Sequence, residues 1–228
     1  MQRMKRKDTA FRDNISALRM AFPVAMYLRD LAEGRDPEDM RYCYAGSYGG
    51  ASVLRRLGYD TKVLLCSVVA WGNDWGGAIG FTAETLYERL KEHVRGLPSF
   101  DEWKTTYHPL SIEEPYPPHL IFEATSKGDR GVVDLSVGQL SATGYHGPRT
   151  IAWYCKGWPR FATTHGYEFV YGPCPYPDKV NSRWLRTPNL TGLEADVMDI
   201  MKLALDCDLD QERFANRVAE SVSMSSVY

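Results

Sequence analysis

The chain of 228 residues lacks an excess of either charge: 27 Lys and Arg stand against 29 Asp and Glu, for a formal net charge of -2 and a pI near 6.2. That balance excludes a global positive field able to gather nucleic acid or an anionic membrane. The short basic run Arg3, Lys5, Arg6 and Lys7 is read as a solvated end. No stretch has the roughly twenty consecutive apolar residues of a membrane helix. The first residues carry charge without the apolar core and small-residue cleavage site of a secretion signal. The expectation is a cytoplasmic protein with no membrane partner and no strong nucleic-acid signal.

Cysteine is scarce and unpaired in pattern. Cys43, Cys66, Cys155, Cys174 and Cys207 are an odd number, widely spaced and without any C-x-x-C. This argues against a disulfide framework and against a zinc knuckle. His108, His119, Glu113 and Glu114 match no ligand spacing, and Pro109, Pro115, Pro117 and Pro118 break the segment that carries them, so no metal is expected. The glycines of WGNDWGGAIG, residues 71–80, lack the G-x-x-x-x-G-K-[ST] order of a phosphate-binding loop. Internal repeats and low-complexity segments are absent. What remains, with 44% hydrophobic and 25% charged residues, is the composition of one compact globular domain over residues 1–228.

Periodicity then places elements. Phe11, Ile15, Leu18, Phe22, Met26 and Leu31 recur at helical steps, but Pro23 falls among them and predicts two helical pieces. Residues 43–57 carry small residues first (Ala45, Gly46, Ser47, Gly49, Gly50) and then Val53 to Leu57 before Gly58, the pattern of a helix with a glycine stop. Residues 61–69, TKVLLCSVV, predict a buried strand. The Gly- and Trp-rich residues 71–80 read as a loop, and residues 82–94 as a short amphipathic helix. Residues 118–124 and 131–135 predict a strand pair around a loop at 126–130, and residues 167–171 a further strand. The core spans about residues 40–175. A helical C-terminal extension covers about 190–220, fraying from Ser221.

The chemistry concentrates at three residues. A thiolate is favoured at a helix start and beside an imidazole that can carry charge, and Cys43 opens the small-residue helix. A catalytic imidazole needs a second group to orient it. His119 and Asp134 sit near corresponding ends of the two predicted antiparallel strands, within cross-strand reach. His165 with Cys155 or Cys174 forms a weaker alternative pair, since nothing around Cys174, between two prolines, would acidify it.

The order of these segments, a cysteine at a helix start, then LRRLGYDTKVLLCSV, HLIFEA and GVVDLSVGQL, resembles the transglutaminase-like and arylamine N-acetyltransferase-like superfamily of papain-like cysteine enzymes. The resemblance covers about residues 42–140. It implies a Cys43 nucleophile, a His119 general base and acid, and an Asp134 orienter. Leu120 stands where the family often has an aromatic residue, and Tyr42 and Tyr44 flank the cysteine where a tryptophan is usual.

The resulting expectation is an α+β protein of papain-like or transglutaminase-like architecture, with a nucleophile helix packed on a small, mainly antiparallel sheet. Its expected activity is acyl transfer through an acyl-thioester enzyme, with an amine acceptor slightly favoured. A thiol hydrolase using the same triad is the alternative, and a catalytically inactive binding module is the reading from another class. The chemistry requires no cofactor, and an acyl thioester can serve as donor. The substrate is expected to be a small molecule, a peptide or an amine-bearing compound. Tyr42, Tyr44, Trp71, Trp75 and Gln139 are the candidate substrate-binding residues.

Overall fold

A computed structural model describes residues 8–34, 42–72, 75–79, 87–88, 91, 96–102, 119–138, 145–154, 162–173, 190 and 192–225. Helix α1 (Thr9–Ala32) is followed by a π-helical run (Ala45–Gly49) that continues into α2 (Gly50–Arg56). Strands β1 (Asp60–Gly72), β2 (Trp75–Ile79), β3 (His119–Ser126), β4 (Asp129–Asp134), β5 (Ile151–Tyr154), β6 (Ala162–Thr164) and β7 (Tyr167–Pro173) come next. Helices α3 (Leu193–Asp206) and α4 (Gln211–Ser225) close the described chain. The class is mixed helix and antiparallel sheet, as expected.

The sheet runs in the order β5-β4-β3-β1-β7-β6, with β2 also on β1. A strand has two edges, and Val68 of β1 pairs with both Tyr171 of β7 and Ile79 of β2. Strand β2 therefore occupies the edge of β1 that β3 uses nearer the strand's start.

Side-chain alternation divides the sheet into two faces. Phe122, Ala124, Val133 and Leu135 point to the helical layer, where they join Phe11, Ile15, Leu18 and Phe22 of α1, Val53 and Leu54 of α2, and Leu193, Val197 and Met201 of α3. The other face gathers Leu64, Cys66, Val68, Ile121, Val132, Tyr145, Phe169 and Tyr171. It is concave. Strands β5 and β7 stand four places apart, about 19 Å in a flat sheet, yet the rings of Trp153 and Tyr171 lie 4.8 Å apart.

Four sequence expectations are corrected. Helix α1 is continuous through Pro23. The backbone bond that Pro23 cannot donate would have gone to the Arg19 carbonyl, four residues earlier, and the Thr150 hydroxyl donates to that oxygen instead, at 3.4 Å. Within the segment read as a loop at 71–80, residues 71–72 and 75–79 are paired antiparallel strand, with Gly72 opposite Trp75. Gly72 allows a close approach there: a Cβ on it, at its φ of +146°, would lie 2.2 Å from the Gly166 carbonyl oxygen. The β3–β4 loop is shorter than predicted, because Ser126 pairs with Asp129 and Lys127 and Gly128 both take positive φ, as a two-residue turn of the mirror-image kind requires. Helix α4 runs on to Ser225 rather than fraying from Ser221. Most of the helix predicted at 82–94 lies outside the described residues. Strands β5 and β6 had no counterpart in the sequence reading.

Candidate active site

The helical run begins at Cys43, and its first intrahelical bond, from the Gly46 N–H to the Tyr42 carbonyl, measures 2.7 Å. The N–H groups of Cys43, Tyr44 and Ala45 precede that bond, in the part of a helix whose donors have no carbonyl one turn back. The five π-helical residues that follow are AGSYG, and such wider turns recur at functional sites. Small side chains let this run press on the sheet. A Cβ on Gly46 would lie 3.2 Å from Leu135 Cβ, and one on Gly50 would lie 2.7 Å from both Leu135 Cδ1 and Phe122 Cε1. The glycines thus hold the helix start against the end of β4.

His119 is the first residue of β3 and Asp134 the last of β4. His119 shares the concave face with Ile121, and Asp134 shares it because Val133, opposite Phe122, points the other way. The two side chains are fully buried, and His119 Nε2 meets Asp134 Oδ2 at 2.7 Å. An ionised carboxylate can only accept, so Nε2 carries the proton. The Cys43 side chain is near enough to the same imidazole to help raise its pKa, and with Nε2 committed to Asp134 the ring has Nδ1 left for it. Cys43 comes from the helical layer, whereas the His–Asp pair belongs to the opposite face. They meet at the margin of the sheet, where β3 begins and β4 ends.

Charge is arranged accordingly. Burial alone would depress the His119 pKa, but the Asp134 charge and hydrogen bond, joined by Cys43, push it up to about 10. Burial would raise the Asp134 pKa. The His119 charge and hydrogen bond, the Ser136 N–H and the Tyr171 hydroxyl together bring it below its ordinary value instead. The result is an imidazolium–carboxylate pair with the thiol on its other side. Cys43 retains 9% exposure and the other two none, so of the three only Cys43 touches solvent.

Asp134 accepts from more than His119. The Ser136 N–H and hydroxyl reach Oδ1 at 2.9 and 3.2 Å, and the Tyr171 hydroxyl donates to Oδ2 at 2.8 Å. The sequence reading missed both residues. Asp134-Leu135-Ser136 has the form of an Asp that caps its own turn two residues on, which was a readable signal. Nothing local marks Tyr171.

The predicted substrate-binding residues are dispersed. Burial raises the phenol pKa of Tyr44, helped by the neighbouring Cys43 and Tyr48, and the ring stacks on Tyr48 at 6.5 Å. Tyr48 in turn lines a groove of about 740 Å³ along α2 with Ser52, Arg55, Arg56 and Glu194. Tyr42 packs half-buried against the helical core. Trp71 is not brought to the triad. It is five residues beyond Cys66, the cross-strand partner of His119, hence about 17 Å along β1 and on the other face. Trp75 is placed by its backbone alone, opposite Gly72 and farther still. Gln139, Cys155, Cys174, His108, Glu113 and Glu114 lie outside the described residues. His165 sits in the β6–β7 turn with φ 53° and pairs with the Thr164 hydroxyl. Among the described residues no group of three His, Cys, Asp or Glu is arranged to hold a metal, and no helix is long and apolar enough to cross a membrane.

Compared with protein-family models, curated proteins and solved structures, the chain matches none of them.

Proposed function

We propose that the protein is a cytoplasmic cysteine-dependent acyltransferase of papain-like or transglutaminase-like architecture, working through Cys43, His119 and Asp134. The observation that carries this reading is the imidazole of His119, held on one side by Asp134 at 2.7 Å, with the thiol of Cys43, at a helix start, near enough to help raise its pKa. In the proposed cycle the Cys43 thiolate attacks a carbonyl carbon, and helix-start N–H groups receive the developing oxyanion. Imidazolium His119 then gives its proton to the leaving group, and an acyl-thioester remains on Cys43. An amine acceptor, deprotonated by His119, takes the acyl group and restores the thiolate. Transfer to an amine is ranked slightly ahead of hydrolysis by water, which would use the same acyl-enzyme.

Intact-mass spectrometry after incubation with acyl thioesters, p-nitrophenyl esters and glutamine peptides tests this directly. The expected result is one acyl adduct on Cys43, absent from Cys43→Ala, that discharges faster when an amine is added. An adduct that discharges in water at the same rate makes the protein a hydrolase. No adduct from any donor leaves the inactive binding module as the better reading.

A further inference from the structure

Tyr171 reaches Asp134 from an unexpected distance. Strand β7 stands three places from β4 in the order β4-β3-β1-β7, about 14 Å in a flat sheet. The phenol oxygen nevertheless lies 2.8 Å from Asp134 Oδ2. The sheet must curl to allow this, and the curl is packed in place: the Trp153 ring covers Tyr171 from β5 at 4.8 Å, and Tyr171 itself is 1% exposed. A fully buried carboxylate has about four lone-pair sites to satisfy. His119, Tyr171 and the two Ser136 donors supply four contacts. Ser136 is on the same turn as Asp134 and moves with it. Tyr171 is the donor that ties the carboxylate to the far side of the sheet.

The geometry points to Tyr171 as a positioning residue of the candidate site: its hydroxyl fixes Asp134 Oδ2, so that the carboxylate presents His119 to Cys43 in a single orientation. This rests on the acyl-transfer reading above. The groups facing Asp134 are His119 from β3, Tyr171 from β7 and Tyr145 from the segment before β5, with Cys43 beyond the imidazole. The pull is mutual, since burial and the neighbouring Asp134 charge drive the Tyr171 phenol well above its ordinary pKa. The phenol therefore stays a donor at neutral pH, where Asp134 is ionised.

Tyr171→Phe removes the hydroxyl and keeps the ring against Trp153. Two measurements on the full chain separate the outcomes: the titration of the Asp134 side-chain carboxyl by carbon-13 NMR, assigned with Asp134→Asn, and the pH dependence of Cys43 alkylation by iodoacetamide. With one charge-assisted bond lost, the Asp134 midpoint should rise by about one pH unit. The acid limb of Cys43 alkylation should rise with it, because protonating Asp134 withdraws the partner that keeps His119 charged. A variant that merely loosened the fold would lower the melting temperature and leave both midpoints in place. An unmoved Asp134 midpoint overturns the proposal whatever Cys43 does. A shifted midpoint in a protein whose wild-type Cys43 alkylates no faster than Cys207 sinks the acyl-transfer reading and, with it, the positioning role, leaving a buried ion pair.

Discussion

At the scale of single residues, His119 and Asp134 stand out because two ionisable groups are removed from water completely. Such a pair survives burial when its remaining hydrogen-bonding capacity is filled, and removing one partner costs about 3–5 kcal/mol. Asp134→Ala is expected to lose stability of that order in urea denaturation, together with any selective alkylation of Cys43. The pH dependence has a defined sign. The His119 pKa is raised from 6.5 to about 10, so its contribution is complete below 6.5 and is lost as pH rises through 10. The Asp134 pKa is lowered, so its contribution is present above 3.8 and is lost on acidification. Wild-type unfolding free energy should therefore fall between pH 6.5 and 10, and His119→Gln should flatten that fall. A flat wild-type curve over the same window would count against the imidazolium–carboxylate pair. The sequence offered these residues readily, since each has a chemistry of its own. It offered Tyr171 not at all, because a single tyrosine among 14 carries no mark of what it will face.

At the scale of elements, the helix that starts at Cys43 is positioned by what it lacks. Gly46 and Gly50 leave room for Leu135 and Phe122, which lets the sulfur stand at the margin of the sheet beside His119. Gly50→Ala is expected to cost about 1–3 kcal/mol by overpacking, and to slow Cys43 alkylation by displacing the helix. A stable variant with unchanged alkylation would show that the helix tolerates a shift. The helix and its glycine stop were legible from small residues followed by Val53 to Leu57 and Gly58, whose φ is +88°. Its π-helical start was not, because an extra residue per turn leaves no imprint on a run of small side chains. The misread of Pro23 has the same origin. Propensity counts the donor that proline lacks, and only the fold supplies Thr150 to the stranded Arg19 carbonyl.

At the scale of the molecule, helix α3 packs into the core, to which α4 adds Phe214. Leu193, Val197 and Met201 are 1–2% exposed and join α1, α2 and the outer face of the sheet in one apolar cluster. Met201→Ala should cost about 2–5 kcal/mol. Deleting residues 192–228 should abolish cooperative thermal unfolding rather than trim it. A deletion protein with a sharp, near-native transition would show that the sheet and first helices fold alone. The curled sheet is likewise a property of the whole, since rings from β5 and β7 fill the concave face together.

The sequence by itself determined the helix start with its thiol, the strand at β1, the hairpin with His119 and Asp134 at its ends, and the helical periodicity of the last segment. Each is written in residues adjacent along the chain, where alternation, helical spacing and turn chemistry act. The tertiary structure alone decided the curl that delivers Tyr171, the meeting of a cysteine from one layer with a His–Asp pair from the opposite face, and the removal of Trp71 from their neighbourhood. Those depend on register and sheet curvature, which sum small contributions from strands far apart in sequence, and no local pattern encodes such a sum.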